Sequence, residues 1–290
     1  MRNVRGTALA LLVMAGAGWW LSTHWPRAAS APAVATFVGR GVCAECHPRQ
    51  AETWRGSDHD LAMQPADRRT VLADFASPAP AKSAAATFLW RDDKPFVRTE
   101  GPTGRTDDFE IAYVFGVRPL QQYLVAMPGG RYQALNLAWD SRPKGASGQR
   151  WIDLFAAERP RPGDPVHWTG RDMTWNHMCS ECHSTNLFKN YRAADDRYET
   201  TWSELNVACE ACHGPGSRHV EWARASRGKG GATGGEGLAV SFRDHRDAAW
   251  QMDATTGIAR RTGPAPSRME VETCARCHAR RGMVEDRYVY

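Results

Sequence analysis

All eight cysteines of this 290-residue chain fall in pairs separated by two residues, and a histidine follows every pair at once. The pairs are Cys43 and Cys46, Cys179 and Cys182, Cys209 and Cys212, and Cys274 and Cys277; the histidines are His47, His183, His213 and His278. Two thiols three positions apart each form a thioether with one vinyl group of a haem, and the next residue sets an imidazole beneath the iron. Zinc also binds paired cysteines, but it has no need of a histidine directly after the second cysteine on four occasions. A thioredoxin-like redox pair would not recur four times, and no βαβ pattern surrounds these pairs. Disulfides would leave the four histidines without a reason. The spacing therefore predicts four covalently bound haem c groups, with porphyrin faces supplying much of the core.

The N-terminus indicates where such a protein resides. Arg2 and Arg5 precede an apolar run from Ala8 to Leu21, followed by Ala29-Ser30-Ala31 and Ala33-Val34-Ala35. This order of basic, apolar and small-residue regions is that of a secretory signal over residues 1–35. Trp19, Trp20 and Trp25 sit where an interfacial belt would, so an uncleaved membrane anchor is the alternative. In both cases residues 36–290 form an exported, periplasmic tetrahaem domain. The formal charge of +5 does not point to nucleic acid, because basic residues are scattered and acidic ones lie among them.

The iron of each haem has a second axial position. Besides the four motif histidines and His24 in the signal region, the chain holds His59, His167, His177, His219 and His245. A second imidazole saturates the iron, which suits electron transfer. A residue close to a motif rarely reaches round to the far face of that motif's own haem. His177 and His219 are thus better placed for a neighbouring haem, while His59 suits either. For His177 and His245 a solvated side chain remains the competing reading, and Met63 is an alternative thioether ligand.

Alternation at Phe109, Ile111, Tyr113 and Phe115 predicts a strand. Arg131 to Trp139, entered through Pro128-Gly129-Gly130, predicts another, and Thr87–Trp90 with Phe96–Thr99 predict a hairpin about Asp92-Asp93-Lys94. A small antiparallel sheet is expected over about 85–155, between the first motif and the second. Short helices are expected over Glu45–Arg55 and His219–Arg227, and the glycine-rich stretch Gly228–Gly237 reads as a loop without the ending of a nucleotide site. The fold class is α+β: short helices and loops around four haems, with a β insertion. The short interval between the second and third motifs predicts that their haems are neighbours.

Laid out this way, the chain resembles the multihaem cytochromes related to the tetrahaem electron carrier of hydroxylamine-oxidising bacteria. More closely, it is similar to the haem-bearing N-terminal part of exported multihaem proteins that continue into tetratricopeptide repeats. The matching stretches are Trp54–His59, Phe115–Tyr123, His167–Gly170, Cys209–His219 and Cys274–Arg281. The resemblance implies His59, His167 and His219 as axial ligands. No tetratricopeptide period is visible before Tyr290, which leaves the distal ligand of the fourth haem open.

Two functions follow. One is an electron carrier between redox partner proteins. The other is a multihaem oxidoreductase of the nitrite or hydroxylamine type, with an open haem lined by groups such as Arg118, Tyr113, Tyr123 and His177. A haem-bearing sensing or scaffold module is a third. Because porphyrin is expected to complete the core, chain made without haem maturation should fold poorly. Circular dichroism of such material checks this; a native-like spectrum would overturn it.

Overall fold

The computed structural model describes residues 34–77, 86–225, 236–242, 249–263 and 268–279. Most of the expected signal region, His245 and most of the glycine-rich loop lie outside the described residues. Every element below belongs to the unit Thr36–Tyr290. No described helix is long and apolar enough to cross a membrane.

A curled antiparallel sheet dominates. Its path runs β2 (Thr87–Arg91), β3 (Lys94–Glu100), β4 (Thr106–Phe115), β5 (Leu120–Met127), β6 (Arg131–Asp140) and β7 (Arg150–Asp153), and β1 (Met63–Pro65) pairs with the C-terminal half of β4. The hairpin between β2 and β3 closes Arg91 against Lys94, with Asp92 and Asp93 at φ 49° and 60°. Two left-handed residues in succession make the tight turn whose twist matches that of paired strands, and aspartate tolerates that conformation. Register shifts between Ile111 and Tyr113 and between Gln122 and Leu124 bend the sheet.

Patterning sets the two faces. In β3, Pro95, Val97 and Thr99 are buried while Lys94 and Arg98 are exposed. On the outer face Arg98 and Arg91 both pair with Asp108, and Lys94 pairs with Glu110. From Gln133 to Asp140, β6 is buried at every position, because apolar clusters cover the sheet on both sides. One cluster gathers Phe88, Val97, Ile111, Tyr123, Leu137 and Trp151, with the Phe88 and Trp151 rings stacked at 3.9 Å and 7°. The other gathers Met63, Phe115, Leu124, Ala134 and Trp175, and the partly buried Cys179 packs against it. The sheet is thus the floor on which the second motif rests.

The helices are short. α1 (Arg40–Cys46) and α2 (Pro48–Trp54) meet at His47, which leaves helical geometry at φ −120°, ψ 53°. The expected single helix over Glu45–Arg55 breaks there because a residue before proline is pushed out of the α region. α3 (Trp175–Met178) and α4 (Ser180–His183) hold the second motif, α5 (Cys209–His213) the third and α7 (Met269–His278) the fourth. α6 (Ser217–Ala225) carries His219. Hairpins β8–β9 (Tyr191–Arg192, Arg197–Tyr198) and β10–β11 (Ala249–Met252, Ala259–Thr262) lie between motifs.

Replacing Phe88 with alanine removes one half of the ring stack in the first cluster. It is expected to lower stability by about 3–5 kcal/mol, measured by denaturant unfolding.

Candidate functional site: four haem-attachment segments and their histidines

An imidazole ligates iron through Nε2 only if that nitrogen is unprotonated and the ring is held. Three histidines meet both conditions through the same device. His183 donates from Nδ1 to the carbonyl of Ala62 at 2.8 Å, His213 to that of Val240 at 3.1 Å, and His219 to that of Glu236 at 2.6 Å. With the proton fixed on Nδ1, the Nε2 lone pair is available. Burial pushes the pKa of His183 below its ordinary value, which keeps the ring in the neutral form that binds metal.

Two pairs of histidines face one another. The rings of His47 and His219 lie 6.0 Å apart at 21°, and those of His59 and His278 lie 6.2 Å apart at 61°. Two imidazoles on opposite sides of one metal, each with a nitrogen about 2 Å from it, have ring centres about 6 Å apart. Each pair joins a motif histidine to one of the expected distal histidines, so these residues fit a haem iron. His219 stands opposite the first motif and His59 opposite the fourth. Met63 is buried in the sheet cluster below.

The remaining candidates are placed differently. His167 is 2% exposed on the sheet's first cluster side, and it lines a cavity of about 20 Å³ with Val97, Thr99, Asn136 and Trp168. That volume admits one water molecule and no porphyrin. The backbone N–H of Thr169 donates to its Nδ1, which puts the ring proton on Nε2, the wrong nitrogen for a ligand. This setting departs from the one the resemblance implies for His167. His177 is exposed on α3. The rings beside His183 and His213 are Phe115 at 5.2 Å and Phe242 at 5.1 Å.

All eight cysteines are free thiols, and among the described residues no group of three or more His, Cys, Asp or Glu side chains forms a metal cage. A structural zinc site needs four such ligands, so the described thiols do not make one. Helix packing relates the motifs crosswise. α1 lies against α5, where the Cys43 thiol hydrogen-bonds to that of Cys209; α4 lies against α7, where the thiols of Cys182 and Cys277 are bonded. The first of these bonds helps bring Cys209 down to about 7. The second and third motifs are also adjacent, as their short interval predicts. Thr185 Oγ1 donates to the carbonyl of Asn206 at 2.6 Å and accepts from the N–H of Ala208 at 2.9 Å, closing the interval on itself.

Of the groups expected to line an open haem, Tyr123 is fully buried in the sheet and donates to Gln121 Oε1. Arg118 pairs with Asp58, next to His59. Tyr113 packs edge-on against Tyr132 and Trp202, and burial pushes its pKa up to about 12.

With this geometry in place, comparison with known proteins finds the family described as cytochrome c554 and c-prime, whose model matches residues 42–85 and 163–214. Those two stretches carry the first three motifs and cover well under half of the chain. No curated protein matches the chain. Among solved structures it is similar to the outer cell wall cytochrome OcwA, at 16% identity over 72% of this chain and 36% of that one, with a TM-score of 0.42. It is also similar to the undecahaem cytochrome from the S-layer of Carboxydothermus ferrireducens, at 16% identity over 69% of this chain and 24% of that one, with a TM-score of 0.37. The chain therefore spans about a third and about a quarter of these two proteins. Its motif-bearing segments are those of a multihaem c-type cytochrome.

Replacing His219 or His59 with alanine is expected to convert one haem each, and a different one in each case, from low to high spin. His167→Gln is expected to leave every haem unchanged. Electron paramagnetic resonance of the oxidised variants distinguishes these outcomes.

Proposed function

We propose that this chain is an exported tetrahaem c-type cytochrome that passes electrons between redox partner proteins. The observation that carries the reading is the pair of facing imidazoles, His47 with His219 and His59 with His278, at the spacing of two ligands on one metal. The haem, when bound, supplies one-electron redox chemistry at an iron whose axial positions decide whether anything else can bind. Cys43 and Cys46, Cys179 and Cys182, Cys209 and Cys212, and Cys274 and Cys277 would hold the four porphyrins as thioethers. His47, His183, His213 and His278 would be the proximal ligands. His219 and His59 would close the first and fourth irons, so those two haems can exchange electrons and bind no substrate.

Export is part of the proposal, supported by the basic, apolar and small-residue order over residues 1–35. The second reading, an oxidoreductase with one open haem, has its foothold at His183 and His213, whose ring neighbours are Phe115 and Phe242. His245 lies outside the described residues and remains a proposed distal ligand, as does His177, each reaching the haem of another motif.

The holoprotein is expected to carry four haems by mass and by pyridine haemochrome absorption. Its oxidised resonance spectrum is expected to show low-spin signals only. A high-spin signal that shifts on addition of nitrite or hydroxylamine would establish the oxidoreductase instead.

A further inference from the structure

Glu210 is one of the two residues between the cysteines of the third motif, and it is 2% exposed. A carboxylate in such a place is costly unless its oxygens are fully engaged. Here they are: Oε1 accepts from the N–H of Val38 at 2.9 Å and of Gly216 at 2.8 Å, and Oε2 accepts from Val38 at 3.1 Å and Gly39 at 2.7 Å. Hydrogen bonds from N–H groups to a charged oxygen are about twice as strong as neutral ones.

The two chain segments so gripped are not arbitrary. Val38 and Gly39 lead directly into α1, which ends on the first motif, and Gly216 leads directly into α6, which carries His219. Glycine is needed at both contacts. Gly39 holds φ +82°, and a Cβ on Gly216 would come within 3.2 Å of Glu210 Oε1 and 3.3 Å of Val38. Next to the grip, Thr36 and Ser217 exchange two further bonds, N–H to Oγ at 2.9 Å and N–H to carbonyl at 3.1 Å. His47 and His219 stand 6.0 Å apart beyond this junction.

We propose that Glu210 is the positioning residue of the first haem: one buried carboxylate clamps the approach to the first motif and the approach to α6 together, and so sets His219 opposite His47. Glu210 belongs to the third haem's attachment segment by sequence, yet it governs the far side of the first haem. The inference rests on the tetrahaem reading, because the pair it positions is a pair of axial ligands.

The test compares holoprotein carrying Glu210→Ala, Glu210→Gln or His219→Ala with the unaltered protein. Each is read by haem content and by oxidised resonance spectrum. The expected result for Glu210→Ala is unchanged haem content, loss of the low-spin signal of one haem in four, and a new high-spin signal that coincides with that of His219→Ala. Glu210→Gln, which keeps one accepting oxygen, is expected to give a mixture of the two spectra. The double variant Glu210→Ala, His219→Ala is expected to look like His219→Ala alone.

An unchanged spectrum in Glu210→Ala overturns the proposal. So does a change at more than one haem, or loss of haem from both Glu210 variants, since each reveals a general structural role instead. Absence of haem from the unaltered protein would overturn the functional reading itself, which separates the two failures.

Discussion

A hydrogen bond from a ring nitrogen to a main-chain carbonyl is the interaction on which this architecture turns. An imidazole with both nitrogens free can rotate and can place its proton on either side; one tied through Nδ1–H can do neither. The carbonyls of Ala62, Val240 and Glu236 do this for His183, His213 and His219. None belongs to the segment whose histidine it holds. Ala62 comes from the turn before β1, far ahead of the second motif, and its position depends on β1 being paired with β4. The ligand geometry is thereby referred back to the sheet.

That dependence explains why a protein of this kind carries a β insertion at all. Short helices of four to ten residues cannot stand alone, because too few turns are gained against the cost of starting them. The sheet offers a rigid surface buried on both sides, and Trp175, Phe115 and Cys179 on one of its faces tie the second motif to it. Gln121 performs a similar task on the sheet's edge: it accepts from Leu72 N–H and donates to Thr70 carbonyl, fixing the loop that covers the first cluster. The stretch around Gln121 stands out in the sequence, and in the structure its work is mechanical.

What the sequence made legible follows from chemistry that is local. The thioether segments need only four consecutive intervals, and the β2–β3 hairpin needs only two aspartates that accept left-handed backbone. Strand β5 escaped notice because Leu120–Met127 is buried on both faces and shows no alternation. The helix break at His47 was readable from Pro48 but was passed over. The distal ligands lie at the other extreme. Their pairing depends on which segments the fold brings together across most of the chain, and neither spacing nor composition contains that information. His167 shows the difference: its surrounding stretch resembles one with a ligand, but its ring is enclosed by sheet residues and its proton sits on Nε2.

The facing of His59 and His278 has a consequence for how such a protein is made. One ring comes from the second helix's end near the start of the chain and the other from the last described helix. A polypeptide that emerges in the exporting direction presents the first of these long before the second. Coordination at the fourth iron is therefore the last bond of assembly. It works as a seal, closing only on chains that have been delivered in full, and a product cut short anywhere before α7 would leave His59 without its counterpart.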